Sequence, residues 1–433
     1  MMEQYRNDFP SLRQTRDGKP PIYMDNACTT LVPQPVIDAI NEYYTRYPGC
    51  GGRRSHHWFA EEVTSRIEAV GSSENAALDS RGSRRLIADF IGAKSEKEIL
   101  FTLNTTHALN TVALGFNFRE GDVVLLTDRE HNSNLIPWLR LQAQGRIQVE
   151  QLPMGAHAGA NEEFDLEALE QRLKEKRVRL VSMGYASNVT GYTIPAAEII
   201  RLAHRHGARV LLDAAQAAPH QKVDVTALDV DFLAFSLHKM CGPRGLGVLY
   251  AKGELLRPQI PSAHSAENDR LDPTMLGGGT VADVAYDAYS LLAAPEDFEA
   301  GIPNYPAQIA SAATVHYLGG IGMDRIAAQE RLLNEYLTKA LLDRYGDTGW
   351  FRIFGPQDAA KRSGILTFEV RRPNSTGIAT ELDQKNNIMI RDGVFCVHSY
   401  FNAQFGAGWI RPKSHRDHRM IYRVSLYFYN TLE

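Results

Sequence analysis

Between residues 100 and 250, short apolar runs alternate with amphipathic stretches, and this rhythm restricts the fold more than any other feature of the chain. Strands buried on both faces read as continuous Val, Ile and Leu runs, and the helices that cover them carry one apolar stripe. Segments 98–102, 123–127, 178–185, 208–213, 231–236 and 246–250 are the expected strands. Segments 166–175 and 197–206 are expected helices, the second closing on His206-Gly207, a stop signal before the next strand. The pattern predicts an α/β fold with a mostly parallel sheet wrapped by helices. Pro303 and Pro306 then punctuate the chain. A helical run over 309–345, a strand over 365–370 and a helix over 379–385 read as a smaller C-terminal α/β domain. At 433 residues the chain is longer than one compact domain usually requires.

Charge and cysteine usage narrow the partners. The 47 basic and 51 acidic residues are interleaved and leave a net charge of −4, which gives no electrostatic case for nucleic acid or an anionic membrane. Cys28, Cys50, Cys241 and Cys396 lie far apart with no C-x-x-C pair, which argues against a disulfide framework or a zinc knuckle and fits a reducing compartment. The polar N-terminus lacks the apolar stretch of a signal peptide, and no run approaches the length of a membrane span. A cytoplasmic protein is expected.

The chemistry centres on Phe235-Ser-Leu-His-Lys-Met-Cys-Gly-Pro-Arg-Gly-Leu-Gly. Lys239 follows a strand end in a glycine-rich turn, where partial desolvation favours the neutral amine needed for an imine. Ser236 and His238 flank it with donors suited to a phosphate. Most lysines are solvated surface charges, so this one needs partners. Asp213 ends the apolar run Val210-Leu-Leu-Asp, and a buried acid is costly unless paired. A pyridinium N–H would suit it, with Gln216 one turn on; the ordinary alternative is a helix cap. In Leu103-Asn-Thr-Thr-His, Thr105, Thr106 and the first free N–H groups of a helix make a phosphate site, although a plain N-cap reads the same. His131, in Arg129-Glu-His-Asn-Ser-Asn, and Asn188, in Tyr185-Ala-Ser-Asn, also follow strand ends. Each signal is weak alone. Together they occupy the carboxyl edge of one sheet, where open α/β sheets bind ligands.

These segments resemble the class V aminotransferase family of fold-type-I pyridoxal-phosphate enzymes, and within it the group II cysteine desulfurases and selenocysteine lyases. The similarity runs from Ile22-Tyr-Met-Asp-Asn-Ala to the end of the chain. It implies a large domain with a mostly parallel seven-stranded sheet and a smaller C-terminal domain. The corresponding division is 1–33 as a segment packing with the small domain, 34–305 as the cofactor-binding domain and 306–433 as the small domain. By the resemblance, Lys239 would hold pyridoxal 5'-phosphate as a Schiff base, and Asp213 would pair with its ring nitrogen. Gln216 and Asn188 would contact the ring hydroxyl, His131 would stack on the ring, and Thr105, Thr106, Ser236 and His238 would form the phosphate site. A homodimer is implied too, with Gly277-Gly-Gly-Thr near the active site at the subunit boundary.

The C-terminal region selects the reaction. Ile390-Arg-Asp-Gly-Val-Phe-Cys-Val-His resembles the family's R-x-G-x-x-C stretch, which puts Cys396 at the sulfur-accepting cysteine and Arg391 at the nearby arginine. Arg423 matches the arginine that grips the substrate carboxylate. The expected reaction takes sulfur from L-cysteine or a related amino acid, leaves a persulfide on Cys396 for a possible acceptor protein, and releases alanine. His131 and His398 are candidate bases for the thiol, whose ordinary alternative role is a small buried hydrophobe. Departures from the family pattern are Asp297-Phe-Glu-Ala-Gly-Ile-Pro in place of R-F-E-A-G-T-P, Cys28 where a small residue is usual, and the tracts 71–77 and 401–417 with Trp409 and His415. Arg53, Arg54, His56 and His57 could reach an active site. The rival readings are a C–S β-lyase, a selenocysteine lyase, a transaminase and a non-catalytic scaffold or sulfur carrier. A scaffold would need none of Lys239, Asp213, His131 and Arg423.

Overall fold

The structure is a computed structural model that describes residues 2–52, 55–68, 82–154, 163–256, 269–371, 377–406 and 419–432. Its large sheet contains β1 (Ile99–Thr102), β2 (Val123–Thr127), β3 (Gln148–Leu152), β4 (Val178–Gly184), β5 (Arg209–Asp213), β6 (Phe232–Ser236) and β7 (Gly247–Ala251). The order across the sheet is β1-β7-β6-β5-β4-β2-β3, and only β7 is antiparallel to its neighbours. All the other strands therefore end at one edge. Along β2, Val123 and Leu125 enter the core on one face of the sheet while Val124 and Leu126 enter the core on the other, as the two-residue pleat requires. This two-sided burial made the inner strands legible in the sequence. β3 is absent from the expected strands. It is one of the two edge strands, and its Gln-Val-Glu-Gln-Leu is mostly solvent-accessible, so it shows no apolar run.

Helix α1 (Gln34–Arg46) packs through Val36 and Ala39 onto Ala310 and Ala313 of α4 (Tyr305–Ile321). Between them in sequence, α2 (Thr105–Gly115) follows β1 and α3 (Ala196–Arg205) precedes β5. The single helical run expected over 309–345 is two helices. Gly322, at φ 94°, adopts a backbone conformation that L-residues avoid and separates α4 from α5 (Met323–Tyr345). Leu333 of α5 packs against Val424 and Leu426 below a second sheet. That sheet is antiparallel, in the order β8 (Phe351–Ile353), β9 (Ile365–Arg371), β11 (Arg419–Ser425), β10 (Arg391–Asp392). Among the described residues no helix is long and apolar enough to cross a membrane.

The segment before α1 is stitched to the last part of the chain. Ile22–Tyr23 pairs in parallel with Ile388–Met389, and Asn26 Nδ2 donates to Ser425 O at 2.7 Å. Thr30 N then donates to His238 O at 2.9 Å. These bonds carry residues 25–30 to the carboxyl end of β6.

Candidate active site

A cavity of about 310 Å³ opens at the carboxyl edge of the large sheet. Lys239, Asp213, Gln216, Asn188 and His131 line it, as do Thr105, Thr106, Ser236 and His238, and also Arg391, Cys396 and Arg423. Strand direction explains the gathering: residues far apart in sequence meet because each follows the end of a neighbouring strand.

Lys239 ends a single turn of 3-10 helix after β6 and is partly open to the cavity. Burial pulls its amine below the ordinary lysine pKa, Asp213 opposes that shift, and Arg423 adds to it. Among the described residues the amine has no hydrogen bond or salt bridge. Asp213, buried at the end of β5, accepts a bond from Ala215 N at 3.0 Å through Oδ1. Burial raises its pKa against that bond and against Lys239. A carboxylate can accept about four hydrogen bonds, so Asp213 has capacity to spare. Gln216 Nε2 donates to Ala27 O at 2.7 Å, leaving Oε1 buried and unpaired.

Hydroxyls collect where α2 begins. Ser236 Oγ accepts from Thr105 N at 2.7 Å and lies 2.6 Å from Thr105 Oγ1. Thr106 Oγ1 lies 2.8 Å from Ser133 Oγ. The Asn104 side chain caps the helix by accepting from His107 N. The positive end of the helix and this hydroxyl cluster suit an anion. Gly247 permits the arrangement, because a Cβ there would meet the Asn104 backbone at 2.5, 2.6 and 2.9 Å. The His238 ring is pulled down to about 4 by burial, with Lys239 and Arg244 adding to the effect. It is a neutral imidazole at neutral pH.

His131 Nδ1 accepts from Ser133 N at 3.1 Å, and burial, helped by Lys239 and Arg423, lowers its pKa to about 3. Beside it sits Glu130, which was not among the expected site residues. Its carboxyl accepts from Thr127 Oγ1 at 2.6 Å, Asn134 Nδ2 at 2.7 Å and Gly184 N at 2.9 Å. Burial pushes it up to about 7, and the nearby Asp213 adds to that. The available signal was an acid just past a strand end with Asn134 one helical turn on, a spacing that lets the two side chains meet.

On the other wall, Arg423 is 2% exposed, with Nη2 3.1 Å from Asp25 Oδ1 and Nη1 donating to Asn188 O at 3.1 Å. Its Cζ lies 4.6 Å from the centre of the Phe395 ring, and Nε is buried without a partner among the described residues. Burial lowers its pKa while Asp25 opposes. Arg391 Nε is 3.6 Å from Asp25 Oδ2. Asp25 is thus the second residue the sequence reading missed, since nothing local marks it as the partner of two arginines. Asn188 Nδ2 donates to Phe395 O at 2.7 Å, and Asn132 N donates to Cys396 O at 2.7 Å. These bonds hold Phe395 and Cys396 at φ 48° and 59°, a conformation costly for non-glycine residues, and display the exposed Cys396 thiol.

His398 lies 3.0 Å from Asn132 through Nδ1 and does not line the cavity. His56, His57 and the Gly277-Gly-Gly-Thr segment are not in the lining either. Arg53, Arg54, 71–77, Trp409 and His415 lie outside the described residues.

The bonding capacity that these groups keep among the described residues has a common complement. An aldehyde suits the Lys239 amine, a protonated ring nitrogen suits Asp213, a ring hydroxyl suits Gln216 Oε1, and a phosphate suits the start of α2. Pyridoxal phosphate carries all four.

The comparisons agree with this geometry. A family model described as aminotransferase class-V matches residues 22–433. A probable cysteine desulfurase of Synechocystis sp. is 35% identical over 435 residues, covering 99% of this chain and 91% of the relative. A probable cysteine desulfurase of Pyrococcus abyssi is 36% identical over 416 residues, covering 95% of this chain and 92% of the relative. Among solved structures, the apo cysteine desulfurase from Thermococcus onnurineus NA1 superposes with a TM-score of 0.82 at 33% identity, covering 99% of this chain and 94% of that one. A cysteine desulfurase from Escherichia coli gives 0.79 at 30% identity, covering 100% of this chain and 94% of that one. The chain belongs to the class-V aminotransferase family.

Proposed function

We propose that the protein is a pyridoxal-phosphate-dependent cysteine desulfurase that converts L-cysteine to L-alanine and a persulfide on Cys396. The observation that carries this reading is one cavity holding a lysine with no salt bridge among the described residues, a buried acid, a buried arginine and an exposed thiol. The relatives named cysteine desulfurase support it.

When bound, pyridoxal phosphate supplies an electron sink for charge developing at the substrate Cα. Lys239 would anchor it, and as a free amine would serve as the base for the Cα proton, since burial favours its neutral form. Asp213 would keep the ring nitrogen protonated. Gln216, Asn188 and His131 would hold the ring, and Thr105, Thr106, Ser236 and His238 would hold the phosphate. Arg423 takes the substrate carboxylate in a two-pronged pair, with Arg391 beside it. The Cys396 thiolate attacks the substrate sulfur: an S–S bond forms, the C–S bond breaks, and the remaining three-carbon fragment is protonated to alanine. Cys396 is exposed, which suits delivery of the sulfur to an acceptor protein.

A homodimer completes the reading. Val284, Tyr286 and Tyr289, on or between the strands of a hairpin, are exposed together with Met275, Leu276 and Ile302. An apolar patch of this kind marks an association surface, and a second copy would bring Gly277-Gly-Gly-Thr towards its partner's cavity. The domain division of 1–33, 34–305 and 306–433 belongs to the same proposal, as does a cytoplasmic setting, where the cysteines remain free thiols.

The test is mass spectrometry of the holoenzyme after incubation with L-cysteine, with alanine quantified in the same sample. One added sulfur on the Cys396 peptide together with alanine is the expected result. Pyruvate and ammonia with Cys396 unmodified would replace the reading with a β-lyase.

A further inference from the structure

The cavity holds two thiols, and the reaction above uses one of them. Cys28 lines the same cavity as Cys396 and Lys239 and is half-buried, whereas Cys241 is fully buried and Cys50 lies outside the lining. The Cys28 backbone is fixed. Its N–H donates to Asp25 O at 3.1 Å, and the preceding Ala27 is held at N by Ser425 Oγ at 2.9 Å and at O by Gln216 Nε2 at 2.7 Å. The Arg391 guanidinium is within electrostatic reach of both the Cys28 and the Cys396 sulfurs. Lys239 is within electrostatic reach of both sulfurs. Both thiols therefore open on one volume of about 310 Å³ with two cations beside them. A cysteine kept only for packing would gain nothing from a guanidinium.

We propose that Cys28 is a resolving thiol, which attacks the inner sulfur of the Cys396 persulfide, forms a Cys28–Cys396 disulfide and expels the outer sulfur as hydrogen sulfide. The step rests on the desulfurase reading, because its substrate is the persulfide. One S–S bond breaks and one forms. The Cys28 sulfur is oxidised, the outer sulfur is reduced to sulfide, and the thiol proton leaves with it, so no external oxidant is required. Arg391 places a permanent positive charge in the cavity near the attacking sulfur. The fixed backbone at Ala27 and Cys28 sets one partner, and the loop that displays Cys396 sets the other. An acceptor protein competes by taking the outer sulfur first. Without one, the site discharges sulfide and closes as a disulfide, and a thiol reductant must reopen it before the next turnover.

The experiment gives the holoenzyme limiting L-cysteine without reductant, quenches with an alkylating agent, and measures alanine, sulfide and the cysteine peptides. The expected result is sulfide equal to alanine and a Cys28–Cys396 cross-linked peptide. In Cys28→Ser, the ratio of sulfide to alanine falls about tenfold and the extra sulfur stays on Cys396. Alanine release with a lasting Cys396 persulfide and alkylated Cys28 would overturn the proposal while leaving the desulfurase reading intact, as would sulfur found on the Cys28 peptide. Absence of alanine would sink the desulfurase reading and the resolving step with it. A second measurement needs no turnover: diamide treatment of the holoenzyme is expected to join Cys28 to Cys396, and recovery of both as free thiols would show that they do not meet.

Discussion

A buried amine such as Lys239 loses hydration that only a counterion or a covalent partner restores, and a buried acid such as Asp213 is in the same position. Both tolerate burial here because a guest with an aldehyde and a cationic ring nitrogen would satisfy them together. Replacing Lys239 with alanine is therefore expected to lower alanine release by about a thousandfold or more, and to lose the covalently held cofactor absorbance measured on the same sample. Arg423→Lys keeps the charge and loses the fork. Steady-state kinetics should show KM for cysteine rising about tenfold, more than kcat falls. Glu130 gives a pH test. Its pKa rises from 4.5 to about 7 on folding, so the folded chain holds that proton more tightly. Its stabilising contribution is complete below about pH 4.5 and is lost as the pH rises through 7, a loss of roughly 3 kcal/mol. Glu130→Gln, which cannot ionise, should be more stable than the parent at pH 8 in urea unfolding, and the gap should close as the pH falls towards 4.5.

The start of α2 is where one element decides the site. Asn104 caps the helix, and Gly247 on the neighbouring strand β7 lets the helix start lie against the sheet. Asn104→Ala should cost about 1 kcal/mol of stability by urea unfolding. Gly247→Ala drives a methyl into the Asn104 backbone, so the helix start must move away from Ser236 at a cost of roughly 1–3 kcal/mol. Titration with pyridoxal phosphate should then show weakened affinity, while far-UV circular dichroism stays close to that of the parent. Unchanged affinity would mean that the N-terminus of α2 does not bind the phosphate.

For the whole molecule, the proposed dimer surface carries apolar side chains that no core among the described residues covers, with Tyr286 and Ile302 the most exposed. Tyr286→Glu places a charge in that surface. Sedimentation velocity should show the species moving from dimer towards monomer, with activity falling in parallel if the Gly277-Gly-Gly-Thr segment serves the partner's site. A variant that remains dimeric at full activity would place the interface elsewhere.

The sequence by itself determined the inner strands, several of the helices and the residues that follow each strand end. Two-sided burial and helix amphipathicity are written locally, in runs of a few residues. Lys239, Asp213, His131 and Asn188 were legible for the same reason, since a strand end fixes where the next side chain can go. Only the tertiary structure decided which ends adjoin, through the order β1-β7-β6-β5-β4-β2-β3. It also revealed edge strand β3, the break at Gly322 and the pairing of Asp25 with Arg423 across 398 residues of sequence. The raised pKa of Glu130 and the meeting of Cys28 with Arg391 belong to the same class. Desolvation and ion pairing depend on neighbours in space, and those neighbours come from parts of the chain whose local patterns carry no record of one another.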